Sequence, residues 1–265
     1  GKKYFINAVL KVTGRVSQRL SRTQADRSVM QANIRAGMAL ISSELREINV
    51  NATQSDITAL SSTSITYRGQ RGLGFVCDVA AGYVRIPRST FVGYRSPIPG
   101  TDALMLFVEN DPDQSIDDGW LQRSITAVDA EACSSGAAGI KLTLGTNLPT
   151  SPDTLAMIKV GAPIRTYEVM EIGELVQGGQ TWLGARSISA GQSFQPVLGP
   201  LATGGVAFSY RTAAGTAGAT ALTVRAIQLT LTGITDNIVA AGAGPNAWAR
   251  ATDQLITTVQ LRNTP

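Results

Sequence analysis

The chain contains no histidine and only two cysteines among 265 residues, and charged residues make up just 16% of it. Without an imidazole there is no Ser-His-Asp or Cys-His nucleophile activation and no His-ligated catalytic zinc. Two cysteines cannot complete a tetrahedral zinc site. There is no P-loop and no G-x-S-x-G elbow, and the run Gly72-Leu73-Gly74 lacks the third glycine of a dinucleotide fingerprint. No stretch approaches the ~18 continuous apolar residues of a membrane span. These absences disfavour conventional enzymology, and no catalytic residue is expected.

What is present reads as globular and rich in turns and β structure: 43% hydrophobic residues, 27 glycines and 11 prolines. The net charge of +4 is unevenly placed. Lys2, Lys3, Lys11, Arg15, Arg19 and Arg22 all precede the first acid, Asp26, and without them seventeen basic and nineteen acidic residues leave −2. A cationic segment confined to one terminus reads as an interaction arm for an anionic partner such as DNA or a membrane surface. Cys77 and Cys133 lie far apart with no C-x-x-C motif. They read as one structural disulfide in an oxidising compartment, with two buried free thiols as the alternative.

Between Val16 and Ile48 there is no proline and one glycine, Gly37. Met30, Ile34, Met38, Ile41, Leu45 and Ile48 recur there at steps of three and four, which predicts a long amphipathic helix with Arg27, Gln31, Arg35, Ser42, Arg46 and Glu47 on a polar face. Phe5, Val9, Val12, Val16 and Leu20 continue the spacing, so the helix is expected to begin near Tyr4. Short β-rich runs follow: 64–68, 74–79, 83–86, 91–94, 103–109, 139–144, 162–175, 181–187, 205–211, 222–233 and 255–263. The stretches 53–66, 212–220 and 240–244 read as surface connections. The expected domains are the helix, 1–48, and an antiparallel β domain, 49–265, with an inserted β subregion at about 70–200.

The segments Arg22–Arg27 and Gln31–Ile48 resemble the helix of type IV pilins and type II secretion pseudopilins, closest to PilW-type minor pilins and J-type minor pseudopilins. Ser64–Arg68 resembles the first strand after that helix, Pro200–Tyr210 and Val224–Leu231 resemble two late strands, and Thr258–Asn263 resembles the ending of the group. Together these cover the helix and the C-terminal third; the middle, about 70–200, carries little resemblance. The resemblance implies an α+β, pilin-like fold, one long N-terminal helix packed on an antiparallel sheet. It further implies a structural subunit of a filament or pseudopilus. The helix face Met30, Ile34, Met38, Ile41, Leu45 and Ile48 would serve assembly with other copies, other pilins or pseudopilins and inner-membrane assembly machinery, without a small-molecule substrate. An inner-membrane-anchored precursor facing the periplasm, and later a filament, would be its setting. The first twenty residues depart from the family, since position 5 is Phe where the family has Glu and the segment is cationic where the family is apolar. Charges of this kind are costly in a bilayer or a dry filament core, so either the N-terminus is replaced or shortened, the favoured expectation, or the chain is a divergent member.

The densest acidic cluster is 109–119. Asp111, Asp113, Ser115 and Asp117 alternate there like calcium-loop ligands, with Asp118 adjacent. Glycine is missing where an EF-hand needs it and no Glu follows at the twelfth position, so the competing reading is a solvated turn. No cofactor is expected unless calcium enters here. A glycosidase reading of the same acids would need two carboxylates facing across a cleft. Trp120, Trp182 and Trp248 read as core. Asn51-Ala-Thr53 is a glycosylation sequon. Arg27, Arg35 and Arg46 with Asp26, Glu44 and Glu47 are candidates for ion pairs between subunits, each worth under about 1 kcal/mol at a surface.

Overall fold

The N-terminal helix forms as its periodicity predicts: α1 spans Lys2–Arg46 without a break in the computed structural model. The structure describes residues 2–51, 53–109, 113, 118–149, 158–240 and 248–261, with 2–20, 240 and 248 described by their backbone alone. After α1 come β1 (Ile57–Leu60), β2 (Ser64–Phe75), β3 (Asp78–Ala80), β4 (Tyr83–Pro87), β5 (Val92–Gly93), β6 (Ala103–Val108), β7 (Gly119–Ala130) and β8 (Gly139–Leu144). Then follow β9 (Pro163–Gln177), β10 (Gln180–Ser187), β11 (Gln195–Arg211), β12 (Ala226–Ile234), β13 (Val239–Ala240), β14 (Trp248–Ala249) and β15 (Thr252–Gln260).

The expected α+β, pilin-like fold is overturned. Hydrogen bonding links thirteen strands in the order β15-β12-β11-β10-β9-β6-β7-β8-β4-β3, with β1, β2 and β5 joining through β2 and β9, so the molecule is predominantly antiparallel β rather than a helix with a small sheet. The reason lies in the strands that the sequence conceals. β7 is a twelve-residue strand in which only Ile125 is fully buried, so it has no two-residue apolar alternation to reveal it. It is held instead by pairing with β6 on one side and β8 on the other. β11 begins at Gln195, well before the expected residue 205, because Pro196, Gly199, Pro200, Gly204 and Gly205 read as turn punctuation. The structure absorbs these residues in an irregular stretch between Leu201 and Val206, where Gly204 takes φ +66°.

The contacts divide the chain into two units, 1–65 with 172–185 and 194–265, and 66–171 with 186–193. In the first, α1 lies against β11, β12, β13 and β15. Ile227, Leu229 and Leu231 are fully buried on the odd-numbered face of β12. Gly233 continues that face, and a Cβ there would come within 2.8 Å of Met30 Cγ, so this is the side that meets the helix. In the second unit Val84, Ile86, Leu104, Leu106, Ile125, Leu142 and Ile164 centre a separate apolar core. The Cys77–Cys133 disulfide, with Cα atoms 5.9 Å apart, ties the residue before β3 to the chain beyond β7.

Candidate assembly surface

The expected helix to residue 48 ends at Arg46, so Ile48 follows it, but Met30, Ile34, Met38, Ile41 and Leu45 of α1 and Ile48 beyond it are between 0% and 6% exposed, all turned into the chain's own first unit. Each such side chain contributes roughly 1.5–3 kcal/mol on burial. Gly37 lies among them for a steric reason, since a Cβ there would come 2.4 Å from Leu198 Cδ2. The polar face is narrower than its sequence implies. Ser42 is buried, and Gln31 donates from Nε2 to Asp253 Oδ2 at 2.8 Å, so both belong to the margin of the sheet-facing side. Arg27, Arg35, Arg46 and Glu47 are exposed.

Directly opposite the buried stripe runs a second one. Ala25, Val29, Ala32, Ala36, Ala39 and Ser43 are all exposed and follow one another at steps of four, three, four, three and four. At about 100° per residue these positions centre roughly 180° from the buried stripe. Val29 and the neighbouring Leu40 are 56% and 54% exposed. The seam is uncharged from end to end, with Arg35 and Arg46 on one flank and Arg22, Asp26 and Glu44 on the other. Alternating four- and three-residue spacing is the pattern by which one helix meets another, and small side chains let backbones approach closely. Sequence reading missed this face because alanine carries little hydrophobic weight and the flanking arginines made the side look polar; the spacing itself was the available signal.

The cationic positions Lys2, Lys3, Lys11, Arg15 and Arg19 lie in helical backbone continuous with Arg22, and 11, 15, 19 and 22 recur at helical steps. Arg22 is exposed and lines a cavity of about 760 Å³ with Thr23, Ala25, Asp26, Asn237, Ile238 and Val239. Asn237 Nδ2 donates to Asp26 Oδ2 across one side of it at 3.3 Å.

Of the acidic loop, Asp111, Ser115 and Asp117 lie outside the described residues, Asp113 is exposed and Asp118 is half-buried. Among the described residues one metal-ligand cluster forms, Cys77, Asp78 and Cys133, and its sulfurs are joined to each other and so are not thiolate ligands. Asp78 instead accepts hydrogen bonds from the Ser134 hydroxyl and, at 2.8 Å, from the Ser134 N–H. Those bonds and the Arg85 charge hold its carboxyl below the usual range. Trp120 packs edge-on against Phe107 at 5.6 Å, with the Arg165 guanidinium 5.2 Å from its ring centre. Trp182 lies where a Cβ on Gly199 would reach 2.5 Å from its ring. The Trp248 side chain is outside the description. Asn51 Oδ1 accepts from the N–H groups of Thr53 and Gln54 at 3.0 and 2.6 Å, so the sequon's asparagine side chain is engaged with its own backbone.

The most enclosed ion pairs among the described residues are in the second unit. Arg71 Nε donates to Glu168 Oε2 at 2.8 Å, and Arg95 bridges Glu168 at 3.2 Å and Asp102 at 2.8 Å. The Asp102 side chain is 0% exposed and that of Glu168 is 11% exposed. Burial opposes ionisation of Glu168, but hydrogen bonds from Ser187 and Arg71 and the charges of Arg71 and Arg95 outweigh it, and its carboxyl lies below the ordinary range. Every carboxylate oxygen named here is held by an arginine, so the group is a tie between β2, β9 and the segment around 95–102 rather than an acid–base pair. The chain matches no family model, no characterised protein and no solved structure.

Proposed function

We propose that this protein is a structural, non-catalytic subunit of an extracytoplasmic filament of the type IV pilus or secretion pseudopilus kind, assembling through α1 with other copies or related subunits. The observation that carries the reading is the uncharged seam Ala25–Val29–Ala32–Ala36–Ala39–Ser43, exposed on the helix face that the chain's own sheet leaves open. The likeness of Arg22–Ile48 to pilin and pseudopilin helices supports it, while the thirteen-stranded sheet adds no support. The disulfide is compatible with an oxidising, extracytoplasmic setting. Assembly would draw on burial of the seam's apolar surface, with inner-membrane machinery as the expected partner during export.

The test is to place a carboxylate in the seam. Ala32→Glu together with Ala36→Glu should abolish concentration-dependent oligomers larger than a dimer seen by sedimentation and leave the circular-dichroism melt in place. Oligomers unchanged by both substitutions would refute the reading.

A second reading has its own observation. The basic positions 11, 15, 19 and 22 recur along one continuous helix, which suits an anionic surface such as a membrane or DNA. It requires binding to anionic vesicles or DNA that weakens steeply with salt and disappears when 1–22 are removed; binding indifferent to salt would exclude it.

A further inference from the structure

We infer that the outer edge of β15 pairs antiparallel with the same strand of a second copy of this chain. The inference goes beyond helix-mediated assembly and uses a different surface. Among the described residues β15 is paired with β12 alone, in an unbroken register from Ala226 opposite Gln260 to Ile234 opposite Thr252. Thr235 N–H donates to Ala251 C=O at 2.9 Å and Leu261 N–H to Arg225 C=O at 3.1 Å, each across a directly opposed pair. That alternation assigns the odd-numbered residues of β15 to bonding with β12 and turns the N–H and C=O groups of 252, 254, 256, 258 and 260 to the other side. The Gln254 N–H is taken by Asp253 Oδ1 at 2.9 Å. The outward groups of Ile256, Thr258 and Gln260 have no partner among the described residues.

Sheet edges are normally guarded by proline, lysine, a bulge or shortness. β3 and β5 follow the rule, with three and two residues. β15 is nine residues long, carries neither proline nor lysine and has no register shift. Its single charge, Asp253, is near the start and is directed to Gln31 of the helix, so 254–260 is uncharged, with Ile256 53% exposed. An antiparallel strand related by a twofold axis is its own complement, and this one brings no like charges together. With Thr258 facing Thr258, Ile256 of each copy faces Gln260 of the other, and each of these pairs exchanges two backbone bonds. The edge needs nothing from a partner except the same edge.

The register gives a direct test. Opposed residues in such a pair have Cα atoms about 5.5 Å apart, inside the range that a disulfide spans. Thr258→Cys should therefore form a covalent dimer on mild oxidation, whereas Thr90→Cys, at an exposed site remote in sequence from the edge, should not. Thr258→Pro removes only an outward N–H and leaves the bonds to β12 in place. In the Ala32→Glu, Ala36→Glu background it should convert a sedimenting dimer to monomer with an unchanged melt; should it fail to fold, Ile256→Lys in the same background gives the same reading. A monomeric wild type, a dimer that survives Thr258→Pro and Ile256→Lys, or a Thr258→Cys protein that does not cross-link would each overturn the inference. The Ala32→Glu, Ala36→Glu protein carrying Thr258→Cys separates the two surfaces. It should still cross-link, and loss of the cross-link there would show that contact at β15 only follows helix assembly and would overturn an independent edge.

Discussion

The two units of this chain are held together by different physics. In the first, a helix lays five nearly inaccessible apolar residues on one sheet face, and Gly37 and Gly233 sit where an added Cβ would collide with Leu198 and Met30. In the second, an apolar core is supplemented by a disulfide, by Arg71 and Arg95 on Glu168 and Asp102, and by Arg85 and Lys141 on Glu131, with both cations also over the Tyr83 ring at 4.8 and 4.7 Å. The first unit should therefore be indifferent to redox state, while the second should respond to it and, through Glu168, to acid. Trp182 lies in the first unit and Trp120 in the second, so Trp182 and Trp120 fluorescence in single-tryptophan variants distinguishes them.

The largest effect is expected from Cys77→Ser with Cys133→Ser. The bond closes a loop of sequence separation 56, and opening it should cost about 4 kcal/mol in the chain-entropy account. Denaturant unfolding followed at Trp120 should shift by that amount, and reductant should reproduce the shift in the wild type. If the Trp182 transition moved equally, the two units would not be separable in stability.

Next is Leu45→Ala. Leu45 is 0% exposed under the sheet, so truncation leaves both lost transfer energy and a cavity, about 3 kcal/mol together. This change should register at Trp182 and be the same with and without reductant or salt. A strong salt dependence would contradict an apolar origin.

Arg95→Met should cost about 2 to 3 kcal/mol, because it strips Asp102 and Glu168 of a shared cation in a nearly closed site, tempered by the 29% exposure of the arginine itself. The pH dependence carries the sign. Glu168 is held below its ordinary value of 4.5, so its contribution is fully present above that pH and is lost as pH falls through its folded-state value. Acid titration should weaken the Trp120 transition below about pH 4.5 and Arg95→Met should blunt that slope. An unchanged slope would mean that the ion group is decorative.

The difference between the units also explains what could be read in advance. The helix was legible because its apolar side chains repeat at 3.6 residues against a background without proline, and β12 because Ile227, Leu229 and Leu231 alternate with polar neighbours. β7 was not, since its strand is fixed by two neighbours and not by a buried face, and β11 was half hidden by glycines and prolines that the sheet accommodates. The disulfide could be proposed from two isolated cysteines. The Arg95–Glu168–Asp102 group could not, because residues 73 apart in sequence give no spacing signal and are brought together only by strand order. The outward seam of α1 was in plain view at steps of four and three, but a pattern of alanines is outweighed by a pattern of isoleucines and methionines.

That seam gives the smallest expected change in stability and the sharpest functional contrast. Ala36 is exposed on α1, so Ala36→Glu removes no buried contact and should alter the unfolding free energy by less than about 0.5 kcal/mol at either tryptophan. A packed helix interface tolerates no such change, because a carboxylate would be buried without a partner and its desolvation would cost several kcal/mol. Leu45→Ala and Ala36→Glu are thus opposites on one helix, the first expected to weaken the fold while leaving the seam intact, the second to leave the fold and abolish assembly through the helix. Sedimentation and a melt on the same two proteins decide the matter. If Ala36→Glu left assembly untouched, the open face of α1 would be an ordinary solvated surface, and whatever this protein binds would meet it elsewhere.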